Sequence, residues 1–365
     1  MSGLLEVWGN FSIVDRGDPF VFIERARMLE AEGWDGATSP DSQSLMVEAY
    51  VILTACVQAT KRLKFGPGVT NPSTRHPAIT AATMLTLQAL SKGRMVLGIG
   101  RGDASLAYLG GSPVSVKEFE AALQMIHTYM RGEAVPIELA ATALARNSGE
   151  GFGELALHHA PEGSKLKWVT AKHSRPPVDV FCTGPKVIGV AARQADYISF
   201  ALGADVGRLK WAIGIAKEEL ERAGRDPASV VFGAHIPAYP HEDIEVSRAL
   251  AEGYVTAQAR FGVMNNKVVG PASEKQRENL ERLASKYDMQ NHGAAGSAQA
   301  KALDADFVDA FGLTGRPEKC IERLQEIRSL GIGRLQLAIA ETETERGRES
   351  YRLAADVILP ALRRS

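Results

Sequence analysis

A parallel (β/α)8 barrel with insertions is the fold that this sequence predicts, on three observations. Eight strand-like runs alternate with helical patterns over 365 residues. Met95–Ile99 is continuously apolar, as in a strand buried on both faces. The first strand is followed by Ile13-Val14-Asp15-Arg16-Gly17-Asp18, with one glycine, where a doubly wound sheet carries a Gly-rich phosphate turn.

The strand-like runs are Leu4–Phe11, Trp34–Ser39, Leu63–Val69, Met95–Gly100, Val178–Cys182, Tyr197–Leu202, Val230–Ile236 and Arg334–Ala340. Helical patterns fall at Pro19–Glu32, Leu45–Thr60, His76–Leu90, Val116–Met130, Lys186–Gln194 and Val206–Ala223. A long helical stretch from Glu242 to about Phe311 follows, then Glu318–Leu330 and Glu349–Leu359. Asp18 before Pro19 is an N-cap with proline at the first helical position, and Gly33 closes that helix. Between His76 and Leu90 the apolar positions are Ile79, Met84, Leu87 and Leu90. The whole chain, 1–365, reads as one domain with insertions at about 131–177 and 265–310, loops long enough to serve as lids or binding elements.

Lys plus Arg (42) nearly balances Asp plus Glu (43), with no charge run to track a phosphate backbone or an anionic membrane. No apolar run approaches a membrane span, and the N-terminus has no signal-peptide pattern. Cys56, Cys182 and Cys320 match neither a disulfide framework nor a metal site, which suits a reducing cytoplasm. The histidines His158, His159, His173, His235 and His241 lack metal spacing and read as structural, and no nucleophile elbow appears.

Five places carry candidate chemistry. Gly66-Pro67-Gly68-Val69-Thr70-Asn71-Pro72 is denser in turn residues than a plain strand-to-helix loop requires. His76, just beyond it, reads first as a helix cap. Gly98-Ile99-Gly100-Arg101-Gly102-Asp103 lacks the third glycine of a dinucleotide fingerprint, so that reading is rejected. It is open between a plain flexible turn and a loop that lets a flat cofactor approach, with Asp103 at the mouth. Cys182-Thr183-Gly184-Pro185-Lys186 starts a helix whose free N–H groups suit an anion, and a plain helix start explains it as well. Glu6 shares a strand face with Trp8, which points into the barrel if Val7 and Phe11 pack outward. Glu6 is then either a mouth carboxylate or a solvated strand end. Asp41 follows the second strand, as a mouth residue or a helix cap.

The run Gly66–Asp103, with TNPSTRHP, TLQALSKGR and VLGIGRGD, resembles the luciferase-like superfamily. It is most similar to the coenzyme F420-dependent reductase branch that includes methylenetetrahydromethanopterin reductase. Asp41–Gln43, Leu166–Trp168, CTGPK and Ala195–Phe200 extend the resemblance. It implies a (β/α)8 barrel with insertions, a homodimer, and a deazaflavin or flavin at the strand C-termini. It implies a non-proline cis peptide at Gly68–Val69 behind the ring, and Thr70 and Asn71 at the ring edge. Gly100, Gly102 and Asp103 fall beside the cofactor, and Thr183, Gly184 and Pro185 near its phosphate-bearing tail. Glu6 and Asp103 match active-site acids, the candidate proton donors or acceptors. One departure stands: Asp41-Ser42 replaces the Asp-His of many F420 enzymes, so a histidine donor there is absent.

The resemblance implies an F420-dependent oxidoreductase that moves a hydride between the deazaflavin C5 and an organic small molecule. The alternatives are an FMN-dependent monooxygenase fed by a partner reductase, and a non-catalytic flavin-binding protein on the same fold. No nucleic-acid, membrane or metal partner is expected.

Overall fold

The computed structural model describes residues 5–11, 17–144, 157–264, 267–339 and 344–364. Ile13, Val14, Asp15 and Arg16 of the first loop, the expected strand ends Leu4 and Ala340, and residues 145–156 of the first insertion lie outside them.

All eight expected strands are present: β1 Glu6–Asn10, β2 Gly36–Ser39, β3 Lys64–Pro67, β4 Leu97–Ile99, β5 Val178–Cys182, β6 Tyr197–Phe200, β7 Val231–Pro240 and β8 Ile332–Ala338. Parallel pairing runs β3-β2-β1-β8-β7-β6-β5-β4. The ring closes between β3 and β4, where Phe65 N donates to Arg94 O (2.9 Å) and Val96 N to Phe65 O (2.8 Å). Further along, Thr70 N donates to Gly98 O and Gly100 N to Thr70 O, both at 3.0 Å. The outward residues Val7, Leu97, Val180, Ile198 and Leu335 are buried against the helices α1 Pro19–Glu32, α2 Ala49–Ala59, α3 Pro77–Leu90, α4 Val116–Met130, α5 Pro185–Gln194 and α6 Val206–Arg222. Phe11 likewise meets Phe22 of α1 edge-on at 5.7 Å.

Local signals set the helix ends. The Asp18 side chain accepts from Phe20 N at 2.9 Å, and Gly33 closes α1 at φ 88°, the left-handed region that glycine enters freely. His76 caps α3, its Nδ1 accepting from Ala78 N at 3.1 Å. The apolar stripe expected on α3 is corrected: Ile79 and Leu90 are exposed, and the buried face is built on Ala81, Met84, Leu85 and Leu87.

The expected single helical stretch after β7 is corrected as well. Glycines and Pro271 break it into α7 Ile244–Ala259, α8 Glu274–Lys286 and α9 Ala305–Phe311, with a small hairpin Val263–Met264/Lys267–Val268. β7 itself runs longer than its apolar core, because its distal end pairs with a short strand, Leu313–Gly315. These elements enclose a second small core around Val255, Leu283 and Phe307. α10 Pro317–Ser329 then leads to β8, and the final helical segments begin at Glu345. In the first insertion, Val135–Pro136 pairs with Gly163–Ser164.

The lower barrel interior is polar. Arg334 of β8 is fully buried; it is ion-paired with Asp179 of β5 and donates to Ser199 Oγ at 3.2 Å. Its guanidinium sits 4.1 Å from the Tyr197 ring and 5.0 Å from the Trp8 ring. Such contacts are worth up to about 2 kcal/mol each when desolvated. Burial pushes the Asp179 carboxyl up, against the opposing charge of Arg334. No helix among the described residues is long and apolar enough to cross a membrane.

Arg334→Met strands Asp179 in this interior and is expected to cost about 3–5 kcal/mol. The urea midpoint should fall, and adding Asp179→Leu should recover most of the loss. Equal midpoints for the wild type and the single variant would contradict the assignment.

Candidate active site

The C-terminal ends of the strands form one mouth, and its floor is the crossing of β3 and β4. Phe65 faces Met95 and Thr70 faces Ile99, five steps along one strand against four along the other. The extra residue is a β-bulge. Only glycine allows the approach. A Cβ on Gly66 would lie 2.2 Å from the Val96 carbonyl oxygen, and one on Gly98 would lie 2.1 Å from that of Pro67. The Gly68–Val69 peptide in the bulge is cis. Gly68 lies against Thr38 of β2, whose Cβ would be 2.5 Å from an added methyl.

The bulge positions its neighbours. Thr70 Oγ1 donates to Asp41 Oδ2 at 2.7 Å, and Arg75 Nε lies 3.5 Å from the same oxygen. Arg75 also pairs with Glu48 and stacks on Tyr50 at 4.4 Å. Burial, with the Asp41 charge adding to it, pushes the Tyr50 phenol well up. Asn71 Oδ1 accepts from Ser73 N and Thr74 N at 3.0 Å, and its Nδ2 donates to Ser105 Oγ at 3.2 Å. Gly100 packs on Val69, and Gly102, at φ +86°, packs on Leu106 and Asn71. Asp41, Gly68, Val69, Thr70, Asn71, Gly100 and Gly102 therefore do come together. The side chains of Asp41, Thr70 and Asn71 are spent on the loop, which leaves small residues and backbone to face a ligand.

The insertion after β7 roofs this floor. Arg260, just past α7, is ion-paired with Asp103 and lies 4.8 Å from the rings of Phe261 and Tyr287. The Tyr108 hydroxyl donates to Met289 O. Burial pushes the Tyr287 phenol up to about 12, and its hydroxyl lies 2.6 Å from His292 Nδ1. Asp103 thus reaches the mouth, already paired. Thr183, Gly184 and Pro185 follow β5: Gly184 caps α5 without a side-chain acceptor, and a Cβ on it would lie 3.5 Å from Val269 of the roof.

Glu6 is the correction. It is the first residue of β1, level with Arg334 near the start of β8, and it pairs with Lys64, the first residue of β3. Trp8 Nε1 donates to its other oxygen at 3.0 Å. At about 3.3 Å per residue, Glu6 lies roughly 13 Å below the strand end at Asn10. It faces inward, as alternation required, but at the opposite end of the barrel from Asp103.

Sequence reasoning missed the inward residues at the correct height. Asn10 is buried and accepts from Ile339 N at 3.0 Å. His235 of β7, a histidine without metal spacing, is half-buried between Phe181 and Tyr254. Burial pulls its imidazole down to about 4. Alternation within β7 puts His235 on the inner face, but no local pattern shows that α7 folds over it. The three cysteines are free and buried, and no cluster of metal-ligating side chains occurs among the described residues.

The family profile described as luciferase-like monooxygenase matches residues 15–334. The 5,10-methylenetetrahydromethanopterin reductase of Methanolobus tindarius is 26% identical over 328 residues, covering 86% of this chain and 89% of that one. The limonene 1,2-monooxygenase of Rhodococcus erythropolis is 27% identical over 348 residues, 92% of this chain and 78% of that one. In structure, the coenzyme F420-dependent tetrahydromethanopterin reductase of Methanopyrus kandleri superposes with a TM-score of 0.70 at 18% identity, covering 99% and 100% of the two chains.

Gly68→Ala is expected to overpack the bulge against Thr38, costing about 1–3 kcal/mol. Thr38→Gly in the same chain should restore much of the thermal midpoint. A Gly68→Ala variant as stable as the wild type would contradict the close approach.

Proposed function

This chain belongs to the luciferase-like monooxygenase family and is an oxidoreductase, and on that premise we propose that it moves a hydride between coenzyme F420 and an organic small molecule. The observation that carries the reading is the glycine-built bulge at the mouth, where Gly66, Gly68 and Gly98 leave no room for a side chain. A flat ring system needs a wall without projecting side chains, and this floor is one. In the loops around the floor, Ser42 Oγ and Thr74 Oγ1 are buried without hydrogen-bond partners among the described residues.

When bound, the deazaflavin supplies the hydride chemistry at its C5. The residues hold and shield it. Gly68 and Val69 would back the ring, and Thr70 and Asn71 would border its edge. Gly100 and Gly102 leave room for it beside β4. The N-terminus of α5, beside Thr183, offers a phosphate-bearing tail the free N–H groups of Gly184 and of the residues that follow Pro185, which itself has none. The roof, tied by Arg260 to Asp103, keeps water out, which strengthens polar interactions beneath it. Asp103, ion-paired with Arg260 at the mouth, remains the candidate proton donor or acceptor. Glu6 takes no part. A homodimer belongs to the same proposal.

The second reading is an FMN-dependent monooxygenase with a partner reductase. The similarity to a limonene monooxygenase over most of the chain supports it. Fluorescence titration of the purified protein with oxidised F420 and with FMN, side by side, separates the two. F420 is expected to bind at least about tenfold tighter, a difference of 1.4 kcal/mol. Tighter FMN binding would overturn the deazaflavin reading.

A further inference from the structure

We propose that Tyr254 of α7 donates a hydrogen bond to an uncharged oxygen acceptor, such as a carbonyl, on the substrate, and that His235 and Gln258 hold its proton toward that acceptor. The inference rests on the reading of the mouth given above. It starts from the height of His235 in the barrel. Its strand neighbours Ala234 and Ile236 are buried in the outer core, so His235 faces inward. Its ring meets Phe181 edge-on at 5.8 Å, and Phe181 Cε2 lies 3.5 Å from the Cβ position of Gly98. One aromatic ring therefore separates His235 from the β3–β4 crossing.

The hydrogen bonds fix a direction. Gln258 Nε2 lies 3.1 Å from the His235 carbonyl oxygen, which only accepts, so that terminal atom is the amide nitrogen. The same nitrogen lies 2.9 Å from His235 Nδ1, which therefore accepts its second hydrogen. A neutral imidazole then carries its proton on Nε2, and burial keeps this ring neutral at pH 7. Nε2–H donates to Tyr254 Oη at 3.3 Å. The phenol oxygen is thus occupied as an acceptor, and its own hydrogen is left to donate. Among the described residues no acceptor takes that hydrogen. Burial also pushes the phenol well up, so the hydrogen stays on it.

Phe181, His235 and Tyr254 are all half-buried. The wall they make is aromatic and uncharged. It suits an acceptor oxygen on an otherwise apolar molecule, and no bond breaks in the interaction proposed. Six residues beyond Tyr254, Arg260 is tied to Asp103 across the mouth, which fixes this part of α7 over the floor.

The test uses the full chain without cofactor and cyclohexanone labelled with ¹³C at its carbonyl, so it does not depend on which cofactor binds. In wild-type protein the bound carbonyl carbon should resonate downfield of its position in Tyr254→Phe. That variant should bind the ketone about fivefold more weakly, the loss of one neutral hydrogen bond. Imidazole ¹⁵N spectra should show His235 with its proton on Nε2, and Gln258→Leu should mix the tautomers and shrink the carbonyl shift. Equal carbonyl shifts in wild type and Tyr254→Phe, no ketone binding to the wild type, or a proton on Nδ1 would each overturn the proposal. Failure of F420 to bind leaves these readouts intact, and so tells against the hydride reading alone.

Discussion

The backbones of β3 and β4 approach so closely at Gly66 and Gly98 that each glycine's missing side chain is replaced by a carbonyl oxygen of the other strand. That crossing closes the barrel and forces one extra residue into β3. The bulge in turn sets Thr70 against Asp41, Asn71 against its own loop, and Gly100 and Gly102 beside Val69. A side chain at either crossing glycine would push the strands apart, and the shape of the mouth would go with them.

Polar groups divide between the two ends of the barrel by role. Below the crossing, Arg334, Asp179 and Ser199 form a plug held by charge and by the Trp8 and Tyr197 rings, and Glu6 and Lys64 pair nearby. Above it, charged side chains are paired along the edges: Asp41 with Arg75, Asp103 with Arg260. Among the described residues of the floor itself, backbone, small side chains and a few aromatic or neutral groups are left to meet a ligand. A flat ring and an uncharged substrate suit such a surface better than a multiply charged one.

Much of this was legible in the sequence because it rests on local chemistry. The run from Gly66 to Asp103 showed by its own residues a loop denser in turn chemistry than a strand-to-helix connection needs, while the cis peptide and the residues beside the ring came from the resemblance alone. Asp18, Gly33 and His76 marked helix ends by capping logic that acts within a few residues. Glu6 shows where such reasoning stops. Alternation along a strand gives the side of the sheet but not the height in the barrel, and height separates a mouth carboxylate from one paired with Lys64 at the far end. The roof was illegible for a related reason. α8 and its neighbours are polar and irregular, and what fixes them are single long-range contacts such as Tyr108 to Met289 and Arg260 to Asp103. His235 gained its place only through α7, which the sequence folds over it from a distance.

On the proposed function, the glycine-built floor at Gly68–Val69 is the wall on which a deazaflavin ring would rest. A crystal structure of the protein soaked or co-crystallised with oxidised F420 tests it directly. The expected result is ring density lying against Gly68 and Val69, with Thr70 and Asn71 at its edge and the tail running toward Thr183–Pro185. Density for the ring anywhere outside this mouth would contradict it.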